Sequence, residues 1–293
     1  MSARAVPRCC GRRGRPGRVS SLIGCLPESS HPHHAGRSKT GCGRSVVVCD
    51  RRYGDRVGRT GNRRAERGCG RAVALTIAPD ARRDEELARR LVDDVTAPER
   101  GVLPEGKVNI ESPVGALVQD LLFEDGWKAD EPWTPLRRDL TEPVRDPGVR
   151  IEVVGPERAH MFAAVVRAAF DGSTFTDERR HAMATGSPYA DARCLLAFDE
   201  RGDAVAGVTV WSAGRGRPGL LEPMGVHREH RRQGYGEAIS LAAAAALQEL
   251  GSSSALACTP SSDVGAVATY KSAGFRQRPE VRDQYRDPRI SCR

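Results

Sequence analysis

Two periods of apolar residues alternate along the second half of the chain. Leu220 to His227 is a short apolar run that reads as a strand, interrupted only by Pro223. Glu237 to Leu250 is rich in helix formers and sets Ile239, Ala243, Ala246, Leu247 and Leu250 near one face. Gly251 then stands where a helix C-cap is expected. Ala255 to Thr259 reads as a second short strand. A further helix is predicted from about Asp263 to Ser272, closing on Gly274-Phe275. Between the first strand and the first helix lies the basic, glycine-containing turn Arg231-Arg232-Gln233-Gly234-Tyr235-Gly236. The predicted order is strand, loop, helix, strand, helix.

The same patterning extends upstream. Val149 to Val154 reads as a strand, and Pro156 to Phe170 as a helix with proline at its start. Thr176 to Ala184 is a second helix. Ala192 to Phe198 and Val205 to Trp211 are strands joined by the turn Asp199–Asp203. From Val149 onward the elements therefore run βααβββαβα. Further upstream, Ala72 to Ala78 is strand-like, Asp84 to Thr96 has helical spacing, Val108 to Glu111 is a short strand and Val114 to Phe123 a helix closing on Gly126-Trp127. Sliding the chain by 148 positions lays Val108–Glu111 on Leu256–Thr259, Leu122 on Tyr270 and Gly126-Trp127 on Gly274-Phe275. A slide of 149 lays Glu85 on Gly234. The upstream stretch thus reads as a partial repeat. Arg137 to Pro147 reads as a linker from its proline and charge content.

The turn before the Glu237 helix has a physical use. The first amides of a helix have no intrahelical partner and carry the positive end of its dipole. Gly234 and Gly236 remove side chains where a ligand would approach the backbone, and Arg231 and Arg232 add positive charge. Such a turn can cradle a diphosphate. A competing pattern, Gly214-Arg-Gly216-Arg-Pro-Gly219, fits G-x-G-x-x-G but leads into Leu220-Leu221-Glu222-Pro223, where no helix is expected. It reads as a hairpin turn rather than a dinucleotide fingerprint.

Arg231-x-x-Gly234-x-Gly236 after a strand ending at Val226 resembles the acyl-CoA loop of the GNAT superfamily of N-acyltransferases. Asp263-x-x-Ala266-x-x-x-Tyr270-x-x-x-Gly274-Phe275 is similar to that family's second motif, with Asp263 where many members have Asn. The resemblance covers roughly Val149 to Asp287. It implies an α/β (α+β) fold, a GNAT-like mixed sheet flanked by helices. Four stretches are then expected: a disordered Arg/Gly-rich extension over 1–71, a partial, degenerate GNAT-like copy over 72–142, a linker over 143–148, and a GNAT domain over 149–288. In the upstream copy Glu85, beside Asp84 and Glu86, stands where the cradle glycine should be, and a carboxylate there repels diphosphate. That copy is expected to have lost its chemistry and to be either packing for the functional copy, with Trp127 and Trp133 supplying apolar contact, or a remnant.

Charge refines this picture. The chain carries a formal net charge of +8. Residues 1–70 hold fifteen Arg and one Lys against four acids, so the rest of the chain is slightly acidic. The basic balance belongs to the extension, whose twelve glycines and single aromatic, Tyr53, predict disorder. No apolar run there reaches the seven residues of a secretory core, and none anywhere spans a bilayer. A cytoplasmic location is expected. Six of the nine cysteines, Cys9, Cys10, Cys25, Cys42, Cys49 and Cys69, lie in this stretch without the close pairs of a zinc site. No metal is expected.

The resemblance also assigns roles. Acetyl-CoA would be the acyl donor and a small-molecule or peptide amine the acceptor, attacking the thioester directly. Backbone groups of Val226, His227 and Arg228 would bond the pantetheine arm. Amides of Arg232, Gln233, Gly234, Tyr235, Gly236 and Glu237 would hold the diphosphate, with Arg231 and Arg232 screening its charge. Tyr270 stands where members place the acid that protonates the leaving thiolate. Glu222, four residues before Val226 on the strand, is the candidate base, with His227 and His230 as alternatives. Cys194 and Cys258 fall on strands and read as buried small residues. Acceptor contacts are expected from Gly172–Pro188 and Gly214–Pro218. Neither nucleic acid nor a membrane is expected as a partner. The alternative function is a non-catalytic CoA-sensing or regulatory protein of GNAT fold, with the basic extension as a nucleic-acid-binding element.

Overall fold

The computed structural model describes residues 46–50, 71–97, 103 and 106–287. Expectations for 1–45, 51–70 and residue 288 lie outside the described residues. The strands are β1 (Val46–Asp50), β2 (Arg71–Ile77), β3 (Val108–Glu111), β4 (Lys128–Asp139), β5 (Arg150–Val153), β6 (Ala192–Phe198), β7 (Ala204–Ser212), β8 (Pro218–Val226), β9 (Ser254–Pro260), β10 (Arg276–Gln277) and β11 (Val281–Arg286). The α-helices are α1 (Glu85–Thr96), α2 (Leu117–Glu124), α3 (Ala159–Ala169), α4 (Asp177–Ala184), α5 (Tyr235–Glu249) and α6 (Val264–Ser272). From β5 to α6 the order is βααβββαβα, as the patterning predicts.

All the strands join one mixed sheet, in the order β1-β2-β3-β11-β4-β9-β8-β7-β6-β5, with β10 paired to β4. Two neighbouring pairs are parallel, β2 with β3 and β8 with β9. Each needs a crossover, supplied by α1 and α5 respectively. Between these units the chain interleaves. β4 pairs antiparallel with β9 from Trp133↔Pro260 to Asp139↔Ser254. β11 lies between β3 and β4, antiparallel to both.

This interleaving corrects three sequence expectations. Arg137–Asp139, read as the start of a linker, are the end of β4, and the guanidinium of Arg138 donates to the Ala273 carbonyl at the end of α6. β10 and β11 were not anticipated as strands. Val46–Asp50 falls within the stretch expected to be disordered, yet it pairs antiparallel with β2 from Val46↔Ile77 to Asp50↔Val73.

The largest core lies around α5. Ile239, Leu241, Ala243, Ala244 and Leu247 are all buried there, against Val208, Val210, Leu221 and Ala255 of the sheet. Burial extends to Ala238, Ala242 and Ala246, so α5 is enclosed over more of its circumference than a single stripe. Its alanines permit this, because small side chains let a helix approach both the sheet and a neighbouring helix. Gly219 has the same purpose on β8: a Cβ there would lie 2.3 Å from Leu247 Cδ2. Each of the large side chains in this core contributes about 1.5–3 kcal/mol by leaving water.

A second core joins α1 and α2 to β2 and β3 through Leu75, Ile77, Leu91, Val95, Val108, Ile110, Leu122 and Trp127. α2 and α6 end alike. Gly126 and Gly274 both have positive φ, +87° and +83°. The Trp127 amide donates to Leu122 O, and the Phe275 amide to Tyr270 O, each at 3.0 Å. Both are Schellman-type closures requiring a residue that tolerates the left-handed region.

Candidate functional site

The parallel pairing of β8 with β9 lasts only from Pro218↔Ser254 to Leu220↔Leu256. Beyond Leu220 the two strands part. The register between β7 and β8 shifts at the same place: Val210 faces Leu221 and Val208 faces Met224, so Glu222 and Pro223 together oppose Thr209. A bulge of this kind bends a strand and re-aims its side chains. The outcome is a wedge between β8 and β9, with Glu222 on one wall and Cys258 on the other.

The loop after β8 leads into α5. The His227 amide donates to Val205 O at 2.8 Å, and a single 3-10 turn, Arg228–His230, follows. Arg232 then adopts φ +63° and Gly234, the N-cap of α5, φ +87°. Gly234 has no side chain to cap the helix, so the amides of Tyr235, Gly236 and Glu237 keep their donors and the positive end of the dipole. A Cβ at Gly234 would meet nothing within 4 Å. The glycine is there for its backbone conformation, and the space beside it is open. Gly236 has a different reason from the one expected: its Cβ would lie 2.7 Å from Thr269 Cγ2, so it lets α6 close on α5.

The helix that follows β2 begins differently. Asp84 is the N-cap of α1, and its carboxylate accepts from the Leu87 amide at 2.8 Å. The Leu117 amide at the start of α2 donates to Arg82 O at 2.8 Å. An internal anion therefore sits on the helix end, and α2 is fastened to the loop. The residue at the cap is Asp84, not Glu85. Glu85 is exposed and paired with Arg89 one turn on.

Tyr270 points from α6 into the interior beside the wedge. It is 5% exposed, and its ring packs edge-on to Phe275 at 5.5 Å. Burial holds its phenol well above the ordinary value, and the neighbouring Glu222, Cys258 and Asp263 push it in the same direction. The two residues singled out as acid and base thus lie within electrostatic reach of one another. Glu222 is half-buried, and its carbonyl accepts from Trp211 Nε1 at 2.7 Å. Asp263 caps α6 through the Ala266 amide. Cys194 is fully buried, as expected, whereas Cys258 is half-buried in the wedge beside Tyr270.

The remaining candidates are placed as follows. Arg231 donates to Ala169 O at 2.7 Å, and Arg228 to Ala168 O at 3.0 Å with Asp171 at 3.4 Å. Both guanidiniums are engaged by the carbonyl end of α3, where cations are favoured. The side chain expected to screen diphosphate is therefore a fastening of α3. Arg232 is exposed and has no ion-pair partner among the described residues. Gln233 Nε2 donates to Glu229 O at 3.4 Å. His227, His230 and Tyr235 form a row of edge-on rings along the loop, 5.4 and 6.2 Å apart. Val226 pairs with Ala206 at the end of β8. The turn Gly214–Pro218 is fastened instead to the other end of α5, with Gly216 N donating to Gly251 O at 2.8 Å. A 15-residue helix, about 22 Å, separates it from Gly234, so Arg215 and Arg217 do not border the Gly234 turn.

Two residues beside the site escaped the sequence reading. Trp211 holds the Glu222 carbonyl across the bulge. Arg145, in the segment between β4 and β5, ion-pairs with Glu237 in the first turn of α5. Neither belongs to a motif, since both act through contacts between elements. Among the described residues no group of His, Cys, Asp or Glu could hold a metal ion, and no helix is long and apolar enough to cross a membrane.

Residues 163–275 match the model of the Acetyltransferase (GNAT) family. No curated protein matches the chain. Among solved structures, a GCN5-related N-acetyltransferase from Sphaerobacter thermophilus is similar with a TM-score of 0.57 and 19% identity, over 83% of this chain and 76% of that one. A tandem GNAT protein from the clavulanic acid biosynthesis pathway, solved without AcCoA, is similar with a TM-score of 0.54 and 17% identity, over 74% of this chain and 75% of that one. At these identities the likeness is one of fold. Its extent exceeds the family match, so it includes part of the upstream unit.

Proposed function

We propose that this chain, whose GNAT-like fold supports acyl transfer, is an N-acetyltransferase moving an acetyl group from acetyl-CoA to a primary amine. The observation that carries the reading is the uncapped N-terminus of α5 at Gly234, beside the wedge where β8 and β9 part. Acetyl-CoA is a substrate here, and the residues present suit it. The amides of Tyr235, Gly236 and Glu237 are donors for a diphosphate, and the parted edge of β8 up to Val226 offers backbone groups to a pantetheine arm. The upstream unit, whose equivalent helix end is capped by Asp84, serves as scaffold: β4 pairs with β9 along the wedge's far wall.

The amine attacks the thioester carbonyl while both substrates are bound. Glu222 accepts the proton the amine loses, and the C–S bond breaks with its electron pair on sulfur. Tyr270 is held protonated by burial and offers its hydroxyl hydrogen to that thiolate. The two groups assist one another. The Glu222 charge is one of the causes that raise the Tyr270 phenol, so once Glu222 has taken a proton the phenol becomes more acidic, at the moment when the thiolate forms. Incubating the full chain with acetyl-CoA and a panel of primary amines, and measuring released thiol, tests the reading. CoA binding with no thiol release from any amine would favour a sensor instead.

A further inference from the structure

Glu237 is poorly suited to a diphosphate site taken alone. It occupies the first turn of α5, where its carboxylate complements the helix dipole but repels a bound anion. The structure supplies a counter-charge from outside the family match. After β4 the chain runs along α5. Gln248 Nε2 donates to the carbonyls of Leu140 and Glu142, each at 2.8 Å, and Val144 packs against the α5 core. This strap delivers Arg145 to the other end of the helix. There its guanidinium pairs with Glu237 and lies 3.5 Å from Ser272 O at the end of α6. Arg138 lies close by, bonded to the Ala273 carbonyl, and its guanidinium is held below the ordinary range by burial first and by the Arg145 charge second. Two cations thus gather where α6 ends against the start of α5.

We infer that Arg145 belongs to the CoA-binding site: it cancels the charge of Glu237 so that the first turn of α5 can accept the diphosphate. A planar guanidinium with five donors can hold a carboxylate and still present N–H groups to a phosphate oxygen. The segment joining the two units of the sheet is then a working part of the site. This inference rests on the reading of the Gly234 turn as a diphosphate cradle.

The test is calorimetric titration of the full chain with CoA. Arg145→Ala should weaken binding about tenfold, or about 1.4 kcal/mol. Glu237→Gln alone should bind at least as tightly as the parent. Adding Glu237→Gln to Arg145→Ala should restore affinity to within about threefold, because the charge that needed cancelling is gone. The loss on Arg145→Ala should be as large with 3′-dephospho-CoA, which keeps the diphosphate. The solvent-exposed pair adds little to folding, so the variants should melt with the parent. Arg145→Ala binding like the parent overturns the inference. So does a double variant as weak as Arg145→Ala, or a loss that vanishes with 3′-dephospho-CoA. If the parent chain itself does not bind CoA, the cradle reading fails first and takes this inference with it.

Discussion

The indole nitrogen of Trp211 donates to the carbonyl oxygen of Glu222 at 2.7 Å, bridging the bulge between β7 and β8. The indole is itself held: Tyr189 stands edge-on to it at 6.1 Å, and the Tyr189 hydroxyl accepts from Arg180 at 2.9 Å and donates to Cys194 Sγ at 3.4 Å. A partly buried series of hydrogen bonds and one ring contact thus ends at the backbone of the proposed base.

Trp211→Phe keeps an aromatic ring and removes this tether, with part of the indole's packing against Tyr189. A neutral hydrogen bond contributes roughly 0.5–1.5 kcal/mol, so kcat should fall by roughly three- to tenfold, with KM for acetyl-CoA within about twofold of the parent. Steady-state kinetics separates the two constants. A raised KM with unchanged kcat would show that the tether does not act on Glu222.

Tyr270→Phe should lower kcat by roughly 10²–10⁴-fold while leaving CoA affinity nearly unchanged. A loss below about threefold, well short of the general-acid range, removes Tyr270 from the mechanism. Stability provides a second check. Burial, then Glu222, Cys258 and Asp263, raises the folded-state phenol above its unfolded value of about 10. The contribution is therefore fully present below about pH 10 and is lost as pH climbs from there toward the folded value. Urea denaturation at pH 8 to 11 should show the parent losing more stability on the alkaline side than Tyr270→Phe.

At Gly234 two effects can be separated by choice of residue. Asn tolerates the left-handed region, so Gly234→Asn should fold with little loss. Gly234→Glu adds both strain, about 1–2 kcal/mol, and a carboxylate at the helix end. CoA titration should find the Glu variant far weaker than the Asn variant. Equal affinities would mean that the diphosphate lies elsewhere.

Leu136 is buried in the α5 core although it belongs to β4, upstream of the family match. Leu136→Ala should cost about 2–5 kcal/mol of unfolding free energy, measured by chemical denaturation of the full chain. The same register implies that a fragment beginning at residue 149 leaves the β9 edge from Ser254 to Pro260 unpaired. We expect it to aggregate or melt well below the full chain. A fragment as stable as the parent would show that β4 is dispensable.

The second half of the chain could be read from sequence because its signals are local. α6 carries its own cap at Asp263, α5 stops at Gly251 as its pattern predicts, and the Gly234 turn depends on residues adjacent to it. β4 was missed because its partners are remote. Lys128–Asp139 contains two prolines and six charged residues, with only Trp133 and Leu136 as large apolar residues. It is a strand because β9 and β11 supply the pairing, and because its prolines keep their acceptors in use: Pro132 O accepts from Ser261 and Pro135 O from Arg278. Arg145 was invisible for the same reason. Nothing in an Arg between two prolines announces that a helix end waits for it. Gly236 was noticed, but for the wrong cause, since sequence shows a missing side chain without showing which neighbour requires the space.

The position of β11 has a consequence during synthesis. Gln284 on that strand bonds to Ser112 across 172 residues, and β11 fills the place between β3 and β4. A nascent chain makes β3 and β4 early and must wait for the strand that joins them. At about 5–20 residues per second, a slot one strand wide stays open for roughly seven to thirty seconds, with a free edge on each side. Free edges invite pairing with the wrong chain, and charge and proline are the usual protection. The lysine, arginines, acids and prolines of β4, which make it so poor a signal, are the composition that a strand exposed for that long requires.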